Sequence, residues 1–196
     1  RCEDLANAAH HYERHQDRHL RSWALLMSGE IAGQRHRRER AHQMFEAVVA
    51  LQESARTANG DWMLWYANNE LGVHAYEDGD PDRAVGHWLA AAALRPSPGV
   101  LQNIAIVHED RRQWQQAERY YGRAERALDT YLDAHDLASL DRKRAVYQCN
   151  RGNMMRRWAN DTPDAAQACA RRERARVLLT SATASWASPE PHWDLA

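Results

Sequence analysis

The chain has 196 residues, with 26 basic and 27 acidic side chains interspersed along it and a formal net charge of −1, which excludes the concentrated basic field of a nucleic-acid sheath. No apolar run approaches the ~20 residues that cross a bilayer, and no basic stretch followed by an apolar one marks a secretory leader. Three cysteines without C-x-x-C spacing, Cys2, Cys149 and Cys169, fit small buried core residues in a reducing, cytoplasmic compartment.

Lys143 is the sole lysine, and this arginine bias, with the heavy alanine use, suggests a GC-rich bacterial genome. The chain opens on Arg1 rather than Met, which suggests a fragment or a processed form. A sensory or regulatory segment of a larger bacterial transcription regulator or signalling ATPase is therefore kept as an alternative.

In chain order, the first segment is rich in histidine. On a helix His11, His15 and His19 fall at i, i+4 and i+8 and share one face, which makes them the candidates for gripping a divalent metal. Arg14 and Arg18 lie between them and disfavour a cation, so a polar helix surface is the simpler reading, and no cofactor is expected. Residues 20–58 read as a helix pair, with Trp23, Leu26 and Met27 on the first helix and Ala41, Phe45 and Val48 on the second. Its turn, from Gly33 to Arg40, carries no Asp or Pro, so this pair is expected to depart most from its neighbours. The run Arg37-Arg38-Glu39-Arg40 reads as a solvated helix face, as does Arg171-Arg172-Glu173-Arg174 further on.

After the Asn59-Gly60-Asp61 stop signal, residues 65–98 give the clearest unit. Leu71 and Gly72 sit in a first helix, Gly79 and Asp80 make a turn, Ala84, Trp88 and Ala91 recur along a second helix, and Pro96 ends it. Residues 98–130 repeat this 33 positions on: Ala84 maps to Ala117, Trp88 to Tyr121 and Ala91 to Ala124, with Leu101, Ile104 and Ala105 filling the first helix. A looser unit spans residues 134–185, with Gly152 at a close helix crossing and Ala165 or Ala166, then Cys169, opening the second helix. Long helices are expected over 112–136 and 171–185. The tail 186–196, beginning WASPEPHW, carries prolines that cannot continue a helix.

These units, most clearly residues 65–130, resemble the tetratricopeptide repeat family. Small residues let paired helices approach closely, large rings fill the space between pairs, and no pair buries its apolar face alone, so several must stack. The resemblance implies an all-α fold: one α-solenoid over 1–196, of about four antiparallel helix pairs in a right-handed superhelix, with a terminal helix and tail.

In that family the first helix of each pair lines a concave groove. Carried onto this chain, the groove draws on Tyr66, Asn69, Val73 and Tyr76, then Gln102, Asn103, Glu109 and Asp110, then Asn150, Asn153, Arg156 and Arg157. Asparagine amides both donate to and accept from an extended peptide backbone, and Asn103 and Asn150 hold matching places in successive units. Glu109 and Asp110 in the middle break the family's carboxylate clamp and suit a partner of mixed charge. The implied role is a protein-interaction module, an adaptor, chaperone or regulator that binds a partner's peptide or helix, with no direct nucleic-acid or membrane contact. A homo-oligomeric scaffold joined through the tail is a further alternative. No phosphate loop, dinucleotide fingerprint, nucleophile elbow or H-E-x-x-H is present, and catalysis is not expected.

Overall fold

The computed structural model describes residues 18–54, 60–131 and 137–186. Eight helices account for most of them: α1 (Arg18–Gln34), α2 (Arg38–Ser54), α3 (Gly60–Glu77), α4 (Pro81–Leu94), α5 (Pro98–Asp110), α6 (Trp114–Tyr131), α7 (Leu137–Asn160) and α8 (Ala165–Trp186). No strand occurs among the described residues. The chain divides into two units, Arg1–Arg95 and Pro96–Ala196. Each contains two helix hairpins stacked on one another: α1–α2 and α3–α4 in the first, α5–α6 and α7–α8 in the second. Within each unit consecutive helices pack on one another, as in a helical repeat.

Three of the four hairpin turns have the same backbone. His36, Gly79 and Arg112 adopt left-handed φ values of 56°, 77° and 55°. In each turn the residue after it donates its N–H five residues back, as Asp80 does to Ala75 and Arg37 does to Ala32. This is the hydrogen-bonding pattern that ends a helix when one residue turns left-handed. The turn of the first pair lacks Asp and Pro, yet it forms the same structure because His36 accepts the conformation that Gly79 adopts without steric cost. The helix after Arg112 accordingly starts at Trp114, two residues later than expected. The fourth turn is one residue longer, and Asp164 caps α8 by accepting the Gln167 N–H at 2.7 Å. Pro81 and Pro98 occupy first-turn positions behind the caps Asp80 and Ser97.

The repeated small–ring–small pattern is the core. Ala41, Phe45 and Val48 of α2, Ala84, Trp88 and Ala91 of α4, and Ala117, Tyr121 and Ala124 of α6 are all buried. Each ring faces the first helix of its own pair at a small residue 16 positions earlier. A Cβ on Gly72 would stand 2.5 Å from Trp88 Nε1, and one on Gly29 would stand 2.7 Å from Phe45 Cε1. Ala105 holds the corresponding place opposite Tyr121 in the second unit.

The last pair departs from this scheme. The buried face of α8 is Ala168, Ala175 and Ala182, while Cys169 is exposed. Cys149 is half-buried, so the expectation of buried thiols is corrected for Cys169 and holds only partly for Cys149. At the start of α8 the buried residue is Ala168 rather than its neighbour Cys169. Leu179 meets Gly152 here, its Cγ 2.9 Å from where a Cβ would stand. No helix among the described residues is long and apolar enough to cross a membrane.

Candidate functional site

In the first unit the expected groove residues sit on α3, and their side chains are engaged within the unit. The Tyr66 phenol donates to the Glu30 carboxylate of α1, and its ring lies 6.3 Å from that of Phe45. Burial, reinforced by Glu30 and Glu70, pushes the phenol well above its ordinary range. Asn69 donates to Glu70 Oε1 at 2.9 Å, and its backbone carbonyl accepts the Trp88 indole N–H at 3.2 Å. Burial raises the Glu70 carboxyl, an effect that the Asn69 hydrogen bond opposes. Tyr76 is exposed along one edge and packs on Trp88, with centroids 5.9 Å apart. Tyr66 thus ties α1 to α3, and Asn69 and Tyr76 converge on Trp88.

The second unit holds Asn103 and Glu109 on α5 and Asn150, Asn153 and Arg156 on α7. Glu109 is only 7% exposed. Its carboxylate accepts the Tyr121 hydroxyl at 2.8 Å and pairs with Arg157 at 2.7 Å. Glu109 therefore belongs to the core, not to a groove, because two partners inside the unit hold its oxygens. The pairing also takes Glu109 out of the acidic middle and Arg157 out of the basic end of the expected charge pattern. Burial, the Glu109 charge and this hydrogen bond push the Tyr121 hydroxyl far above its usual range. Arg157 also stands 6.0 Å over the Trp114 ring.

The Asn153 amide lies 3.6 Å from Cys149 Sγ. Asn103, Asn150 and Arg156 have no hydrogen bond or ion pair from their side chains among the described residues. Beside Asn103, the Gln102 Oε1 is buried without a hydrogen-bond donor, an open acceptor of the kind that costs free energy unless it is met. Arg156 lines an open depression of about 590 Å³ with Asn160 and Arg172, over a floor of Ala175 and Leu179.

Two further features were not expected from the sequence. Arg151 lies between Glu118 and Glu125 of α6, donating to Glu125 at 2.6 Å and doubly to Glu118, which also pairs with Arg174 of α8 at 2.7 Å. These acceptors, Glu118 first, hold the guanidinium above its usual range against the effect of burial. In the first unit, Arg38 bridges to Glu77 and Asp78 at 3.2 and 3.1 Å, so the 37–40 run is not wholly a solvated face. Gly29 had a readable signal, its 16-residue spacing to Phe45, which equals that of Gly72 to Trp88. The Arg151 cluster had none, since its partners lie 26 and 33 residues away.

Of the histidines considered for metal, His11 and His15 lie outside the described residues, and His19 is half-buried at the start of α1. No group of three or more metal-ligating side chains occurs among the described residues. Residues 187–196 of the tail also lie outside them.

No family model matches the chain, and no curated protein matches it. Among solved structures, BtubC (BKLC) from P. vanneervenii is similar in fold, with 15% sequence identity, 98% of this chain and 79% of that chain covered, and a TM-score of 0.68. At that identity the likeness speaks to the helical fold alone.

Proposed function

We propose that this chain is a protein-interaction module of the tetratricopeptide type, an adaptor, chaperone or regulator working in the cytoplasm, and that its second unit holds an extended peptide of a partner. The observation that supports this reading is a contrast along α5 and α7. Glu109 and Arg157 satisfy one another, whereas Asn103, Asn150 and Arg156 have no side-chain partner among the described residues. Asn103 and Asn150 each stand two positions before the small residue of their helix, Ala105 and Gly152. Their amides suit peptide carbonyls and N–H groups. Arg156, with Arg172 beside it, suits an acidic side chain at one end of the peptide.

The test begins with capture of the partner from the native host and its identification by mass spectrometry. Affinity is then measured for the wild type and for a variant with Asn103, Asn150 and Arg156 all changed to Ala. At least a tenfold loss is expected, with an unchanged melting curve because none of the three is buried. Unchanged affinity would remove the groove from the second unit.

A further inference from the structure

The first helix of the first unit carries an apolar face that the other described residues leave about half exposed. Leu20, Trp23 and Ile31 of α1 are 48%, 46% and 50% exposed. Their spacing of three and then eight residues puts them on one stripe of the helix.

On α3 all three counterparts are covered; on α7 the counterpart of Ile31 is covered, while that of Trp23, Val146, is 41% exposed. Measured from the small residue at each helix crossing, Ile31 stands two positions after Gly29, as His74 does after Gly72 and Met154 after Gly152. His74 stacks on His42 and meets the Phe45 ring at a tilt, both of the preceding hairpin. Met154 is fully buried in a cluster with Ala105 and Tyr121, again of the preceding hairpin. Six positions before the glycine, Trp23 corresponds to Tyr66, which packs on Phe45. Nine before it, Leu20 corresponds to the fully buried Met63. The face of α1 thus has the composition and register of a face that receives a helix.

The charge at its end indicates what kind of helix. Where α2 lies on α3, Glu77 and Asp78 at the end of α3 hold Arg38, the first residue of α2. The position equivalent to Asp78 after Gly29 is Arg35. Arg35, Arg37 and Arg40 line a depression of about 170 Å³ beside Ile31, and none of them is in an ion pair among the described residues. The sign is reversed, so a helix seated here begins with acidic residues, which the positive end of its own dipole also favours.

We propose that the outer face of α1 is a docking surface for a helix of a partner protein that opens with an acidic turn and carries an aromatic ring onto Trp23 and Ile31. The surface lies in the first unit and takes a helix, so it stands apart from the peptide groove proposed for the second.

The probe is a labelled synthetic peptide with the α2 sequence, residues 38–54, in which Arg38 and Arg40 are replaced by Glu. Its binding to the full chain is followed by fluorescence anisotropy. Binding is expected, with at least a tenfold loss in Trp23→Asp and in Ile31→Asp, and at least a fivefold loss for the unmodified α2 peptide. Both substituted residues are about half exposed, and circular dichroism confirms that each variant folds. No binding by the acidic peptide overturns the proposal, as does equal binding of the two peptides or indifference to both substitutions. A wild-type chain that sediments as a dimer split by Trp23→Asp overturns it in favour of a second copy. Faster hydrogen exchange in residues 1–17 on Trp23→Asp, with no peptide present, overturns it in favour of the chain's own first residues.

Discussion

The Trp88 indole lies so close to Gly72 that a Cβ there would stand within 3 Å of three of its ring atoms, while Nε1 is fixed 3.2 Å from the Asn69 carbonyl. The ring cannot retreat without giving up that hydrogen bond. Gly72→Ala is therefore expected to destabilise the first unit by about 1–3 kcal/mol, the usual cost of overpacking, although alanine is the better helix former by nearly 1 kcal/mol. Urea melts of G72A, W88L and the double variant check this. The double variant should cost less than the sum of the singles, because leucine no longer meets the new methyl.

Tyr121→Phe should cost about 1.5–3 kcal/mol, since it removes a hydrogen bond to the buried Glu109 carboxylate. Arg157→Met leaves the same carboxylate without its ion-pair partner and should also destabilise. The two losses should be non-additive in a double-mutant cycle, because both partners act on one acceptor.

His36 and Arg112 hold a backbone conformation that glycine adopts freely. His36→Gly and Arg112→Gly should each stabilise the fold by about 0.5–1 kcal/mol, the gain from relieved strain exceeding the added freedom of the unfolded chain. Gly79→Ala should do the reverse. Thermal melts of the three single variants test both signs.

His74 is held below its ordinary range, first by burial and then by Arg38 and His42. His87 is lowered too, mainly by burial, then by Arg83 and His42. Both groups bind protons more readily unfolded than folded. Their contribution to stability is therefore complete above pH ~6.5, the ordinary histidine value, and is lost as the pH falls from there towards the lowered folded values. The urea midpoint should drop between pH 7 and 5, and His74→Gln should flatten part of that slope. The Glu70 carboxyl, raised by burial, works in the opposite direction as the acid range is entered, so the slope should weaken at lower pH.

The helix pairs were legible because their determinants are local. Ala84, Trp88 and Ala91 mark a buried stripe at helical spacing, and their shift by 33 to Ala117, Tyr121 and Ala124 exposes the repeat. Gly29 follows the same rule but stands apart by 43 from Gly72, so a search at one fixed offset passes over it. Glu109 was misread because its burial depends on Tyr121, twelve residues on, and on Arg157, forty-eight on. On its own helix it occupies a position that suits a surface. Cys169 was misplaced because it adjoins the buried Ala168, and one position along a helix swings a side chain by about 100°. Of the residues expected in the groove, Tyr66 and Glu109 are engaged through long-range contacts and Asn69 and Asn153 through neighbours on their own helices, whereas Asn103, Asn150 and Arg156 have no side-chain partner among the described residues.

Arg151 joins three helices through one guanidinium: α6 through Glu118 and Glu125, and α8 through the shared Glu118 and its Arg174. A force drawing α8 away from the hairpin before it loads this junction as a rivet loads in shear. The second unit should consequently give way under tension in one abrupt step, rather than by peeling turn by turn from its end. Cutting Arg151 back to Ala should turn that step into a gradual yield at lower force.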